Sequence, residues 1–152
     1  MDVTDIVRIL CEDLGIEMID APIVIPDESQ KMAMYDIDEN VIYVNPNGNG
    51  IIIFYYIAHE MRHVWQHQMA EVNGRPEYIA LFNEYNSYDD YNDKDEYNLQ
   101  PLEIDAIAYA TIITEERFEV KLGRPGTEDA VEEAIKARID EISRERKLKK
   151  NP

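Results

Sequence analysis

Residues Ile51–Ala70, IIIFYYIAHEMRHVWQHQMA, run for twenty positions without a glycine or a proline. That stretch limits what the chain can become. Its first eight residues are all apolar or aromatic, so a helix formed here is expected to be buried nearly all round. Inside it, His59-Glu60-Met61-Arg62-His63 spells H-E-x-x-H. Residues four apart share one helix face, with Cβ atoms about 5–6 Å apart, so His59 and His63 can meet one metal ion from the same side. Glu60 follows the first imidazole and can reach a water on that ion. The chain has three histidines, His59, His63 and His67, all within nine residues. A polar stripe turned to solvent is the competing account. The apolar run before the motif argues against it, because two imidazoles and a carboxylate entering such a helix are costly unless paired.

This is the arrangement of zinc metalloproteases. A catalytic zinc takes three protein ligands and keeps one position for water. His67 lies about 12 Å beyond His59 along a straight helix, too far for one ion to accept all three imidazoles. It suits a cleft or supporting group instead. Carboxylates on the next buried helix, expected over Leu102–Val120, serve better. Glu103 follows His63 by forty residues, room for the chain to return. Glu103 and Asp105 point about 200° apart on a helix, so one of them at most faces the ion. Glu103 shares its face with Ala106 and Ile107, which suits close packing on the motif helix, and is preferred. Asp105 is then expected to anchor the helix or support the ligands.

Around these two helices the chain reads as α+β. A small antiparallel or mixed three-stranded sheet packs on the H-E-x-x-H helix and the second buried helix, with N- and C-terminal helices. Val3–Leu14 has helical apolar spacing, with Asp2 or Thr4 as cap and Gly15 as stop. Pro22–Pro26 is a proline-bounded edge strand. Lys31–Tyr35 and Val41–Val44 form a hairpin across Asp36–Asn40. That acidic turn lacks the spacing and glycine of an EF-hand loop. Asn45–Gly50 breaks the chain, with Asn49 as cap of the motif helix, which should end near Asn73-Gly74. Tyr78–Tyr85 suits a helix and Asn86–Tyr97 a long acidic loop. Its tyrosines, with Tyr78 and Tyr85, serve either to line a cleft or to pin the loop. Thr127 caps a last helix through about Lys147, with Val131, Ile135, Ile139 and Ile142 as its apolar stripe. The whole, 1–152, is expected as one domain, with 127–150 a C-terminal helical extension.

Charge narrows the function classes. The formal net charge is −17, which disfavours nonspecific nucleic-acid binding. Residues 1–116 hold 24 acidic and 5 basic residues, and residues 117–152 hold 8 and 10. The basic cluster Arg144–Lys150 reads as the solvated end of a helix, where cations suit the macrodipole; contact with an acidic partner or with the acidic body is the other reading. The single Cys11 suits a reducing compartment, and neither a signal peptide nor a membrane span is recognisable. A cytoplasmic protein with no membrane partner is expected.

Taken together, these residues resemble the minimal gluzincin-type metallopeptidases, particularly the ImmA/IrrE-like group. The likeness covers roughly residues 20–115: a strand like Val41–Asn45, the H-E-x-x-H helix, and E-x-x-A, here Glu103-Ile104-Asp105-Ala106. Related families often carry Asp or Asn four residues after the ligand Glu; this chain has Ile107. The resemblance implies Zn2+ held by His59, His63 and Glu103, Glu60 as catalytic base, and a protein or peptide substrate added to the edge strand. Tyr109, His67 or a loop tyrosine is expected to donate to the oxyanion. Two other readings stand beside the peptidase: a non-catalytic module that holds a protein partner, and a structural zinc site. Glu60 favours the peptidase, since a structural site needs no base beside its ligand.

Overall fold

Strand β3 (Val41–Val44) is the hydrophobic centre of a three-stranded sheet with order β1-β3-β2. Val41, Ile42 and Val44 are buried, as expected of a strand with a neighbour on each side. Strand β1 (Ile23–Pro26) pairs with it in parallel, Ile23 opposite Val41. Strand β2 (Ala33–Asp36) pairs antiparallel, Ala33 opposite Val44. The sheet is therefore mixed, and its proline-bounded strand is at an edge. In the turn, Asp36 Oδ1 accepts from the Asp38 and Glu39 amides at 3.0 and 3.1 Å. Asn40 completes it in the left-handed region, φ 55°. Asp36 thus serves the turn's own backbone.

The computed structural model describes residues 1–86 and 100–150, with side chains over 1–81 and 100–149. Among these, helix α1 spans Val3–Leu14, α2 Gly50–Glu71, α3 Pro76–Asn86, α4 Pro101–Phe118 and α5 Asp129–Lys150. Asp2 closes a capping box on α1 and Gly15 ends it at φ 75°, a conformation that glycine adopts without strain. Asn49 Oδ1 accepts from the Ile52 amide at 2.9 Å and starts α2. No helix among the described residues is long and apolar enough to cross a membrane. The expected loop beyond Asn86, with Tyr88, Tyr91 and Tyr97, lies outside the described residues, as does the Tyr85 side chain.

Helix α2 is the pillar. Phe54, Ile57, Ala58 and Met61 have no exposed surface and pack with Ile6, Val7, Leu10 and Cys11 of α1 and with Ile42 and Val44 of β3. Each large side chain so buried contributes about 1.5–3 kcal/mol. Its N-terminal turn is more open than expected, Ile52 being exposed. Helix α4 lies along α2. Ala106 and Ala110, on the same face as Glu103, are fully buried, and their small side chains bring the two backbones close. Tyr78 of α3 packs edge-on against Trp65, ring centroids 5.4 Å apart.

Helix α5 begins one residue later than the Thr127 cap predicts, with Glu128 in the cap position. The Glu132 amide donates to the Glu128 carbonyl at 2.9 Å. Its stripe, Val131, Ile135 and Ile142, is buried. The basic tip is not simply solvated: Arg146 Nη1 donates to both Asp13 oxygens at 2.8 and 2.9 Å, and Nη2 to Glu116 at 2.8 Å. The tip is bound in part to the acidic body.

Candidate metal centre

One turn of α2 separates His59 from His63, and their ring centroids are 5.0 Å apart. The first turn of α4 brings Glu103 between them. Its Oε1 lies 2.9 Å from His63 Nε2 and its Oε2 3.3 Å from His59 Nε2. The three ligand atoms lie within 4.8 Å of one another, close enough to hold a metal ion. A tetrahedral ion with ligands at 2.0–2.2 Å spaces them about 3.4 Å apart, so the imidazoles, within 4.8 Å of the carboxylate atom and of each other, need only a small closure to reach it. Imidazole, imidazole and carboxylate are also a donor set that a borderline-soft divalent ion accepts.

In the metal-free chain the three groups satisfy one another. Burial raises the Glu103 pKa, but the two imidazoles outweigh it and hold the carboxyl well below its usual range. Burial lowers the His63 pKa, but the Glu103 carboxylate, with help from Glu60 and Gln66, lifts it to about 9. His63 is therefore an imidazolium at neutral pH, and a cation would replace the proton on its Nε2.

Behind His63 stands Gln66. Its Nε2 donates to the Leu102 carbonyl at 2.9 Å and to Asp105 Oδ2 at 2.8 Å. Both amide protons are then used, so Oε1, 2.8 Å from His63 Nδ1, accepts. Nδ1 must carry a proton, which leaves Nε2 as the atom that can bind an ion. Asp105 faces away from the triad. Arg62 Nε donates to its Oδ2 at 2.7 Å and Arg62 Nη2 to its Oδ1 at 3.0 Å. Arg138 Nε donates to Oδ1 at 2.9 Å. Burial opposes ionisation of Asp105, but Arg62 foremost, then Arg138 and Gln66, keep its pKa low. The Arg62 guanidinium is itself clamped 3.9 Å over the Trp65 ring.

The triad opens into a cavity of about 600 Å³. Met32–Tyr35 of β2 and the segment before it form one wall, Tyr55, Tyr56 and Glu60 of α2 another, and Leu102 and Ile107 of α4 with Val131 and Ile135 of α5 the far side. Arg124 on the rim is committed to Glu132 by bonds of 2.8 and 2.6 Å. The strand beside the centre is β2. The proline-bounded β1, expected to receive a substrate, lies at the opposite edge of the sheet, beyond β3.

Of the residues singled out in the sequence, His59, Glu60, His63 and Glu103 come together at this cavity. Asp105 stands behind it, reaching His63 through Gln66. His67 is one turn past His63 and does not line the cavity. Tyr109 corrects an expectation. It is 1% exposed, and its hydroxyl donates to Asp13 at 2.8 Å, toward α1. Burial and the Asp13 carboxylate push its pKa up, so it is a structural phenol and no oxyanion donor. Sequence reasoning missed Gln66, Arg62 and Arg138. The signals were available: Gln66 sits three residues after His63 on the same helix face, Arg62 is a charge inside the buried motif, and Arg138 follows Ile135 at helical spacing beside the apolar stripe. Comparison of the chain with protein-family models, curated proteins and solved structures found no match.

Proposed function

We propose that this chain is a zinc-dependent peptidase, acting on a protein or peptide of the cytoplasm. The observation that carries the reading is that ligand atoms of His59, His63 and Glu103 lie within 4.8 Å of one another in a cavity whose wall also carries Glu60. A structural site would be closed by a fourth side chain; among the described residues the three candidate ligands face open volume and the Glu60 carboxylate. The resemblance to the ImmA/IrrE-like gluzincins adds weight, since the same four residues occupy the family's positions.

Zn2+ held there would supply a water that ionises near neutral pH. Glu60 accepts the water proton on a carboxylate oxygen and delivers it to the departing amine nitrogen. His63, its Nδ1 proton held by Gln66, offers Nε2 alone to the ion. The edge of β2 beside the cavity is positioned to pair with an extended peptide.

The test is Glu60→Gln, assayed with a random-sequence peptide mixture and mass spectrometry. The wild type should cleave members of the mixture in a Zn2+-dependent manner. The variant should bind Zn2+ as tightly and cleave at least about a hundredfold more slowly. Equal cleavage by the two, or none by the wild type, overturns the reading.

A further inference from the structure

Among the described residues, helices α2 and α4 supply the three candidate ligands, yet the frame behind them is finished by α5. Arg138 donates to Asp105 Oδ1 through Nε at 2.9 Å and pairs with it through Nη2 at 2.8 Å. Its Nη1 is held in turn by Glu141 at 2.8 Å. Charge balance alone does not call for this second cation: Arg62 already neutralises the buried Asp105. What Arg138 adds is orientation. Arg62 already meets the carboxylate with both oxygens in a fork, Nε to Oδ2 at 2.7 Å and Nη2 to Oδ1 at 3.0 Å. Arg138 anchors Oδ1 a second time, from another helix, so that the forked carboxylate is pinned with Oδ2 toward Gln66 Nε2 at 2.8 Å.

That bond decides which way the Gln66 amide faces. With Nε2 drawn to Asp105 and the Leu102 carbonyl, Oε1 meets His63 Nδ1. Were the amide reversed, Nε2 would donate to Nδ1 and move the proton of a neutral ring to Nε2, the atom that must face the ion. We propose that Arg138 is a positioning residue for His63, acting through Asp105 and Gln66, so that the C-terminal helix belongs to the metal centre rather than only covering the core. The inference rests on reading His59, His63 and Glu103 as metal ligands.

Two variants, Arg138→Met and Arg138→Lys, and two readouts test it in the full chain. One readout is the Zn2+ dissociation constant, by competition with a chromophoric chelator. The other is the hydrogen-bonded His63 Nδ1–H resonance in the metal-free protein, by 15N-edited NMR. Arg138→Met should weaken Zn2+ binding about tenfold, the lower end of what lost support behind a ligand costs. It should also expose the Nδ1 proton to solvent exchange. Arg138→Lys, which keeps a cationic donor, should restore most of both. If either readout stays at the wild-type value in Arg138→Met, however far its melting temperature falls, the inference is overturned. Should Arg138→Met not fold, Arg138→Gln carries the same readouts. A wild type that takes up no Zn2+ sinks the metal reading instead, and the Nδ1–H resonance then decides the role of Arg138 by itself.

Discussion

Replacing Asp105 with alanine gives the sharpest test of how α4 is held on α2. The carboxylate, 6% exposed, accepts from Arg62, Gln66 and Arg138. Its loss does not weigh on these equally. Arg138 is 22% exposed along its side chain and keeps Glu141, so it can turn to water. Arg62 is 8% exposed and sandwiched between the Trp65 and Tyr109 rings, at 3.9 and 4.9 Å, so its charge is stranded. A buried pair broken from one side costs about 3–5 kcal/mol. For a chain of this length that is a melting temperature lower by roughly 10 °C. The assay is thermal and urea unfolding of chelator-treated protein. The double variant Arg62→Met, Asp105→Leu separates a stranded charge from lost packing. It should be more stable than Asp105→Ala alone, because no unpaired ion remains. An Asp105→Ala loss below about 1 kcal/mol, or a double variant less stable than the single one, would refute the reasoning.

Two further outcomes follow from the triad. Excess Zn2+ at a hundred times its dissociation constant should stabilise the wild type by about 2.7 kcal/mol, and Glu103→Gln or His63→Ala should abolish most of that gain; an undiminished gain in either variant places the ion elsewhere. In metal-free protein, His63 has a folded pKa of about 9 against 6.5 in the unfolded chain, so its pairing with Glu103 stabilises fully below the lower value and is lost as pH rises through the upper one, while the depressed Glu103 pKa makes the same pairing fade as pH falls into the acid range. The stability difference between wild type and Glu103→Gln, by urea unfolding, should therefore shrink from pH 6 to pH 10, and a difference that grows over that range contradicts the imidazolium assignment.

Much of this was legible because it is local. The start of α2 rests on one asparagine side chain, the end of α1 on one glycine, and the pairing of His59 with His63 on helical pitch alone. The choice of Glu103 over Asp105 followed from which neighbours were small. The Tyr109 expectation ignored the same pitch: six positions from Glu103 is about 120° around the helix, which already turned it from the ion. What stayed hidden depends on elements far apart in the chain meeting at one place. Gln66 looks like any polar residue of a helix until Leu102 and Asp105 are set opposite it. Arg138 belongs to a helix that the sequence offers only as an apolar stripe. Likewise nothing in the strand sequences says which edge borders the cavity, because that depends on how the sheet sits on α2.

The alanines of α4 also bear on ion size. Helix axes separated by small side chains run at about 8 Å, and those held apart by bulkier ones at about 10 Å. Ala106 and Ala110 lie on the face that carries Glu103 and are fully buried, so bulkier side chains there would be expected to widen the claw. At the narrow spacing a carboxylate and two ring nitrogens would meet at a radius suited to small, strongly polarising ions, as the proposed zinc reading requires. A wider claw would gape, fitting at best a cation such as calcium, whose oxygens stand 2.3–2.6 Å away and which has little liking for imidazole.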